Sequence, residues 1–350
     1  MPDFYSLSIK EVTRITPSAV SVLFDVPAEL KKEFKFIPGQ YIDIRKELNG
    51  EELRRAYSIC SSLQSDELRI GIKEMIGGKF SVYANSSLKA GDHLEVSIPK
   101  GNFVLEPEST KNKKYLAIAT GSGITPILSL VQSVLELEPK SKFLLLFGNR
   151  SIEDVMFKTE LDVLQKTFPD RFFLHYVFSQ KWKENDYTGR INEAMIESVL
   201  SEDALNYNVD EVFLCGQEAM IDMAKEYFIK QGLTSKQVHF ELFSVTEAPK
   251  KEKENFSGEA EVTIVLDDES TTFRMHQQET VLAAALKHGL DAPYSCQGGI
   301  CSSCLAKLTY GKVKMDNNRI LSKEELEEGL ILTCQSHPVS EKISINYDHV

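Results

Sequence analysis

The chain has 350 residues, 42% hydrophobic and 26% charged, with a net charge of −12. These proportions fit an ordinary globular protein of two or three domains, and the acidity argues against nucleic acid as a partner. No apolar run approaches the roughly 18 residues of a membrane span, so membrane insertion is not expected. The start, Met-Pro-Asp-Phe-Tyr-Ser, has no basic-then-apolar leader, which predicts a cytoplasmic protein.

Residues 1–108 read as short strands at 5–15, 19–26, 41–45, 53–61, 68–75 and 93–98, with turn signals such as Pro38-Gly39 and Gly91-Asp92 between them. This pattern predicts an antiparallel β-barrel. Residues 109–243 change character. Apolar strands at 115–120, 143–147, 172–178, 211–214 and 238–243 alternate with helical periods at 125–137, 155–167, 190–200 and 217–230. That alternation predicts an α/β domain, a parallel sheet with helices on both faces. Residues 244–258, SVTEAPKKEKENFSG, are polar and charged and read as a linker with a reach of roughly 20 Å. Residues 259–350 open with strands at 261–266 and 271–275. A short helix at 281–288 follows, then strands at 305–308 and 342–347, an α+β pattern. This last segment holds 14 acidic and 8 basic side chains, which serve either to steer a basic partner or only to keep the surface soluble.

The most specific signal lies in that segment. Cys296, Cys301, Cys304 and Cys334 follow C-x4-C-x2-C with a fourth cysteine farther on, the plant-type ligand spacing of a [2Fe–2S] cluster. Gly298 and Gly299 let the backbone pass close to an inorganic core, and amides freed in the loop can donate to its sulfurs. Structural zinc calls for two separated C-x-x-C pairs, and only Cys301 and Cys304 form one. Disulfides call for an oxidising compartment, which the N-terminus does not suggest. His337 follows Cys334 closely, but four cysteines already fill the site, so it reads as a loop residue.

Two weaker motifs sit on the barrel. Arg55-Ala-Tyr57-Ser58 ends a strand with a charge for a phosphate, a ring to cover a flat aromatic and a hydroxyl for a ring nitrogen. Gly77-Gly78-Lys79-Phe80-Ser81 opens a helix, whose free amides and dipole suit an anion. Alone, each is also what a surface strand or a capped helix would show; in this order on a barrel they point to a shared site. In the next segment Gly121-Ser-Gly123-Ile-Thr125-Pro126 follows the first parallel strand. It lacks the third glycine of the six-residue dinucleotide fingerprint, yet still brings two glycines to a helix start. After the second strand stand Arg150 and Ser151, where an NAD site would carry an acid for the ribose. A guanidinium and a hydroxyl suit a 2′-phosphate, which favours NADPH. Cys215-Gly216 ends the fourth strand at the edge where such sheets bind ligands.

Taken together, these motifs resemble the ferredoxin–NADP⁺ reductase superfamily, followed by a plant-type ferredoxin domain with a β-grasp-like fold. The order of flavin barrel, nicotinamide domain and ferredoxin is that of reductase components of multicomponent oxygenases. The stretches from Met315 to Leu321 and from Leu332 to Pro338 are similar to the phenylacetyl-CoA epoxidase type of reductase. The resemblance implies that Arg55, Tyr57 and Ser58 hold the flavin phosphate and ring, and that Gly78, Lys79, Phe80 and Ser81 take the FAD pyrophosphate. Lys73, Gly121, Gly123, Gly216, Arg150 and Ser151 join the cofactor-binding set. Thr125 and Cys215 lie by the nicotinamide, Phe243 covers the other flavin face, and Ser58 and Cys215 are the expected catalytic residues. Ser302-Ser303 stand where the family often has glycine or alanine with serine or threonine, and their hydroxyls are expected to alter hydrogen bonding to the cluster, and so its potential, while leaving its ligation intact. The implied activity is an FAD-dependent NAD(P)H oxidoreductase passing electrons through [2Fe–2S] to a di-iron or related oxygenase. A steroid or aromatic hydroxylase, a desaturase, or a non-turnover role as redox sensor or electron-transfer component stand as alternatives.

Overall fold

The computed structural model describes residues 4–180, 187–202, 208–244 and 258–350. It divides into two compact units, Met1–Phe243 and Ser244–Val350. Most of the expected linker, 245–257, lies outside the described residues.

The first unit begins with β1 (Tyr5–Thr16), β2 (Ala19–Asp25), β3 (Tyr41–Leu48), β4 (Glu51–Ser58), β5 (Leu68–Lys73), α1 (Lys79–Ser86) and β6 (His93–Val96). The strands pair antiparallel in the order β4-β3-β6-β1-β2-β5. An Ile59–Ile70 bridge and a 2.8 Å bond from the Cys60 amide to the Arg69 carbonyl join the two edges, so the sheet closes as a barrel. Leu7, Ile42, Ile44, Ile70 and Ile72 fill it and are fully buried. Each such side chain contributes about 1.5–3 kcal/mol over exposure. The β3–β4 hairpin is longer than the alternation predicts, because charged residues mask it. It turns at Asn49-Gly50, both at positive φ, the two-residue turn that matches strand twist.

The period of two has a consequence on β5. Leu68, Ile70 and Ile72 point into the barrel, so Arg69, Gly71 and Lys73 point out of it. That outer row meets the parallel sheet.

The parallel part contains β7 (Lys114–Thr120), α2 (Ile124–Leu137), β8 (Lys142–Asn149), α3 (Lys158–Thr167), β9 (Phe172–Phe178) and β10 (Tyr187–Thr188). It continues with α4 (Glu193–Glu202), β11 (Glu211–Gln217), α5 (Glu218–Lys230) and β12 (Val238–Ser244). The sheet order is β10-β9-β8-β7-β11-β12. From β7 the chain steps outward to β8 and β9, then returns past its start to β11. Strand order therefore reverses between β7 and β11, which opens a ligand crevice at their carboxyl ends. Helices α2 and α3 share one apolar core against the sheet, as right-handed crossovers from β7 to β8 and from β8 to β9 require.

Helix α2 carries Ile124, Ile127, Leu128, Val131, Val134 and Leu135 at helical spacing, all buried, with Pro126 in its first turn, where no intrahelical donor is lost. Its polar side also works. Ser129 Oγ donates to the Ser61 carbonyl at 2.6 Å and Ser133 Oγ accepts the Leu63 amide at 3.2 Å, both on the barrel. Barrel residues Ala19, Cys60 and Phe103 belong to the same apolar core as the helix, so barrel and sheet pack as one body.

The second unit holds β13 (Glu259–Leu266), β14 (Glu269–His276), α6 (Val281–Lys287), β15 (Leu305–Tyr310), β16 (Val313–Met315), α7 (Lys323–Glu327), β17 (Leu330–Leu332), β18 (Ser336–Pro338) and β19 (Lys342–Asn346). Its main sheet runs β14-β13-β19-β15-β17, with β13 and β19 parallel, over a core shared with α6. This is the predicted α+β pattern. The elements β16, β17, β18 and α7 are absent from the sequence-based expectation because runs of three to five residues carry no readable period.

Candidate electron-transfer sites

Both halves of the first unit contribute to its site. Ser58 ends β4 and is 4% exposed; its Oγ donates to Glu241 Oε2 of β12 at 3.2 Å. Burial pushes the Glu241 carboxyl up to about 8 against the opposing Ser58 hydrogen bond. Cys215 is fully buried, and burial followed by the Glu241 charge raises its thiol well above the ordinary value. The two expected catalytic residues are thus gathered around an acid that no sequence motif marks. Its one signal is a lone carboxylate in the otherwise apolar strand Phe240-Glu241-Leu242-Phe243. Phe243 is half-buried against the shared core.

Beside Ser58, Arg55 is exposed and donates to the Arg54 carbonyl at 2.7 Å, which leaves its charge open to solvent. The Tyr57 ring lies 5.7 Å from Phe80, and burial raises its phenol. Gly78 caps α1, whose first-turn amides at Lys79, Phe80 and Ser81 have no intrahelical carbonyl to bind and can hold an anion. The side chains there serve the protein itself. Ser81 Oγ accepts the Met75 amide at 3.1 Å, Lys79 pairs with Glu51, and Phe80 is buried in the barrel. Any phosphate would therefore meet backbone at these three positions. A Cβ on Gly78 would stand 2.4 Å from Ser81 Oγ, so a larger residue there would have to displace the hydroxyl that holds the Met75 amide.

At the crevice, a Cβ on Gly123 would fall 2.3 Å from the Cys215 carbonyl oxygen. Gly216, at φ +141, presses on Thr120, whose Oγ1 accepts the Gln217 amide at 2.9 Å. The ends of β7 and β11 thus touch through glycines. Lys73 Nζ stands near Gly121, 3.7 Å from where its Cβ would be, and brings a cation to the turn. Thr125 is buried and donates to the Ser122 carbonyl at 3.0 Å, which fixes the turn. Arg150 is exposed at the end of β8; Ser151 Oγ donates to Asp154 Oδ2 at 3.1 Å. Glycine turns, helix amides and nearby cations fit a flavin and a nicotinamide dinucleotide.

In the second unit the four thiols form two pairs, Cys296 with Cys301 and Cys304 with Cys334. The Cys301 thiol and the amides of Gly298, Ile300 and Cys301 donate toward Cys296 and lower its thiol. The Gly298 amide lies 3.3 Å from Cys296 Sγ. The Cys304 thiol, the Gly299 amide and Gln335 lower Cys334 in the same way, and the Ser303 hydroxyl bonds Cys301. Positive φ occurs at Gln297 and Gly299, and a Cβ on Gly299 would meet the Asn317 carbonyl at 2.7 Å. Among the described residues no three metal-ligating side chains converge on one point. Two thiol pairs suit two irons, two thiolates each, better than a single tetrahedral zinc. His337 lies on β18 rather than in a loop, with Nε2 3.1 Å from Asp316 Oδ2.

No helix among the described residues is long and apolar enough to cross a membrane. Family models for an oxidoreductase FAD-binding domain, an oxidoreductase NAD-binding domain and a 2Fe-2S iron-sulfur cluster binding domain match residues 6–105, 117–226 and 264–339. The chain is 37% identical to one of the subunits of the 1,2-phenylacetyl-CoA epoxidase of Escherichia coli (strain K12), over 99% of both chains. It is 32% identical to the ferredoxin reductase component of 3-ketosteroid-9-alpha-monooxygenase of Mycobacterium tuberculosis, over 98% of this chain and 95% of that one. Phthalate dioxygenase reductase shares the fold, with a TM-score of 0.62, 22% identity and 98% of each chain covered. Three cofactor domains in this order, with such likeness along the whole length, place the chain in the family of FAD- and [2Fe–2S]-containing reductase components of oxygenase systems.

Proposed function

We propose that this reductase draws electrons from NADPH and delivers them to an oxygenase of the phenylacetyl-CoA epoxidase type. The observation that carries the acceptor is the 37% identity that runs end to end, through all three cofactor domains. FAD held here would supply a hydride acceptor and a cluster a one-electron carrier, chemistry that would let a two-electron donor serve one-electron reactions. The chain orients and insulates these groups. The α1 amides hold the flavin pyrophosphate, Arg55 adds charge, and Tyr57 covers the ring. The turn at Gly121 and Gly123, with Lys73 above it, seats the nucleotide pyrophosphate. Arg150 and Ser151 favour a 2′-phosphate. Glu241 keeps a proton close to neutral pH and Ser58 Oγ places it at the edge of the flavin site. Cys215 and Thr125 shape the nicotinamide end. Cys60 and Cys215, the two cysteines outside the cluster set, are buried free thiols, in keeping with a cytoplasmic setting.

The test is reconstitution. The purified reductase, NADPH and a phenylacetyl-CoA epoxidase oxygenase should give coupled turnover. Coupling instead to a steroid monooxygenase would favour the second relative, which is 32% identical over nearly the full length. Oxidation of NADH but not NADPH would remove the NADPH assignment, and failure to oxidise either nucleotide would remove the reductase reading.

A further inference from the structure

Thr333 immediately precedes Cys334 and is fully buried. Its amide and its hydroxyl both donate to the Cys304 carbonyl, at 3.1 and 3.0 Å. Its own carbonyl accepts the Leu282 amide of α6 at 3.1 Å. One residue thus ties together the two segments that supply the Cys304–Cys334 thiol pair and anchors both to the helix.

The Thr333 hydroxyl is in turn held by Tyr347, whose phenol donates to Thr333 Oγ1 at 2.9 Å. Tyr347 follows β19, is 7% exposed, and is pinned by its amide to the Val265 carbonyl at 2.9 Å. Packing alone would be served as well by phenylalanine. The bond to Thr333 satisfies the buried phenol, and a phenol that donates to a donating hydroxyl strengthens the next bond in the chain. That next bond ends on the carbonyl of a cluster cysteine. Donors on this carbonyl draw off its negative charge, and groups around an iron–sulfur site tune its potential through such fields.

We propose that Tyr347 is a positioning residue of the cluster site, acting through Thr333 to fix the Cys304–Cys334 pair and to raise the potential at which the cluster takes an electron. The inference rests on the cluster reading and adds to it a residue outside the cysteine loop.

The test uses the full chain. Tyr347→Phe removes one hydroxyl and keeps the ring. Its midpoint potential should fall, the electron paramagnetic resonance signal of the reduced cluster should shift, and a chelator should strip iron several-fold faster. Thr333→Val should reproduce these changes and Thr333→Ser should restore wild-type values. The double variant Tyr347→Phe with Thr333→Val should go no further than Thr333→Val alone, since both break one chain of bonds. Unchanged potential and resonance in Tyr347→Phe, with at most a lower unfolding midpoint, would reduce the tyrosine to a packing role and overturn the proposal. If Tyr347→Phe fails to hold a cluster, the Thr333 variants decide: equal potentials for Ser and Val overturn it. Failure of the cluster reading looks different, as a wild-type chain without iron and labile sulfide.

Discussion

Ser58 and Glu241 stand 183 residues apart in the chain and meet at 3.2 Å, hydroxyl to carboxyl. One closes a barrel strand and the other lies in the last strand of the parallel sheet, so the bond exists only when both halves of the first unit are assembled. Glu241→Gln should leave FAD bound and lower the NADPH-dependent rate by about 10²–10⁴, the range of a positioned acid–base group. Ser58→Ala should act in the same direction. Stopped-flow reduction of the flavin measures both, and an undiminished rate in either variant would remove the proton-holding role.

The same carboxyl predicts a pH effect on stability. Burial raises it from 4.5 to about 8, so the folded chain binds this proton more tightly than the unfolded one. The resulting stabilisation is complete below pH 4.5, declines as pH rises, and is gone above about 8. Thermal melts followed by flavin fluorescence should show that decline in the wild type and a flatter profile in Glu241→Gln.

Arg150 is exposed at the end of β8. Arg150→Ala should raise KM for NADPH about tenfold or more, the loss of a charge-assisted bond, and leave NADH nearly unchanged. Equal effects on the two nucleotides would cancel the assignment of the 2′-phosphate.

Cys296→Ser should abolish electron delivery to a protein acceptor and preserve NADPH oxidation with a small artificial oxidant. The thiol belongs to the second compact unit, while the flavin and nicotinamide sites belong to the first. Loss of both activities with the first unit still folded would contradict this division.

Arg69 of the barrel grips Glu160 of α3 through two bonds, at 2.7 and 2.8 Å, with its guanidinium over the Phe157 ring. Breaking this partly buried fork with Glu160→Ala should cost about 1.5–3 kcal/mol. It should also slow flavin reduction, because the pair sets barrel against sheet along the row that carries Lys73. Denaturant unfolding and the same stopped-flow assay check the two parts.

Local chemistry carried the parts of this protein that could be read from residue order. The cysteine spacing, the glycine pairs before α1 and α2, and the switch from a period of two to a period of 3.6 each depend on neighbours within a few positions, and neighbours are what a sequence displays. Assembly decided the rest. Glu241 became a site residue only because β12 returns beside β4. Phe80, Ser81 and Thr125 turned inward, leaving backbone amides to face a ligand. Lys73 reached Gly121 only because barrel closure turned the outer row of β5 toward the parallel sheet. Thr333 and Tyr347 met across a folded domain. Such contacts are set by burial and by long-range strand pairing, which no local pattern encodes.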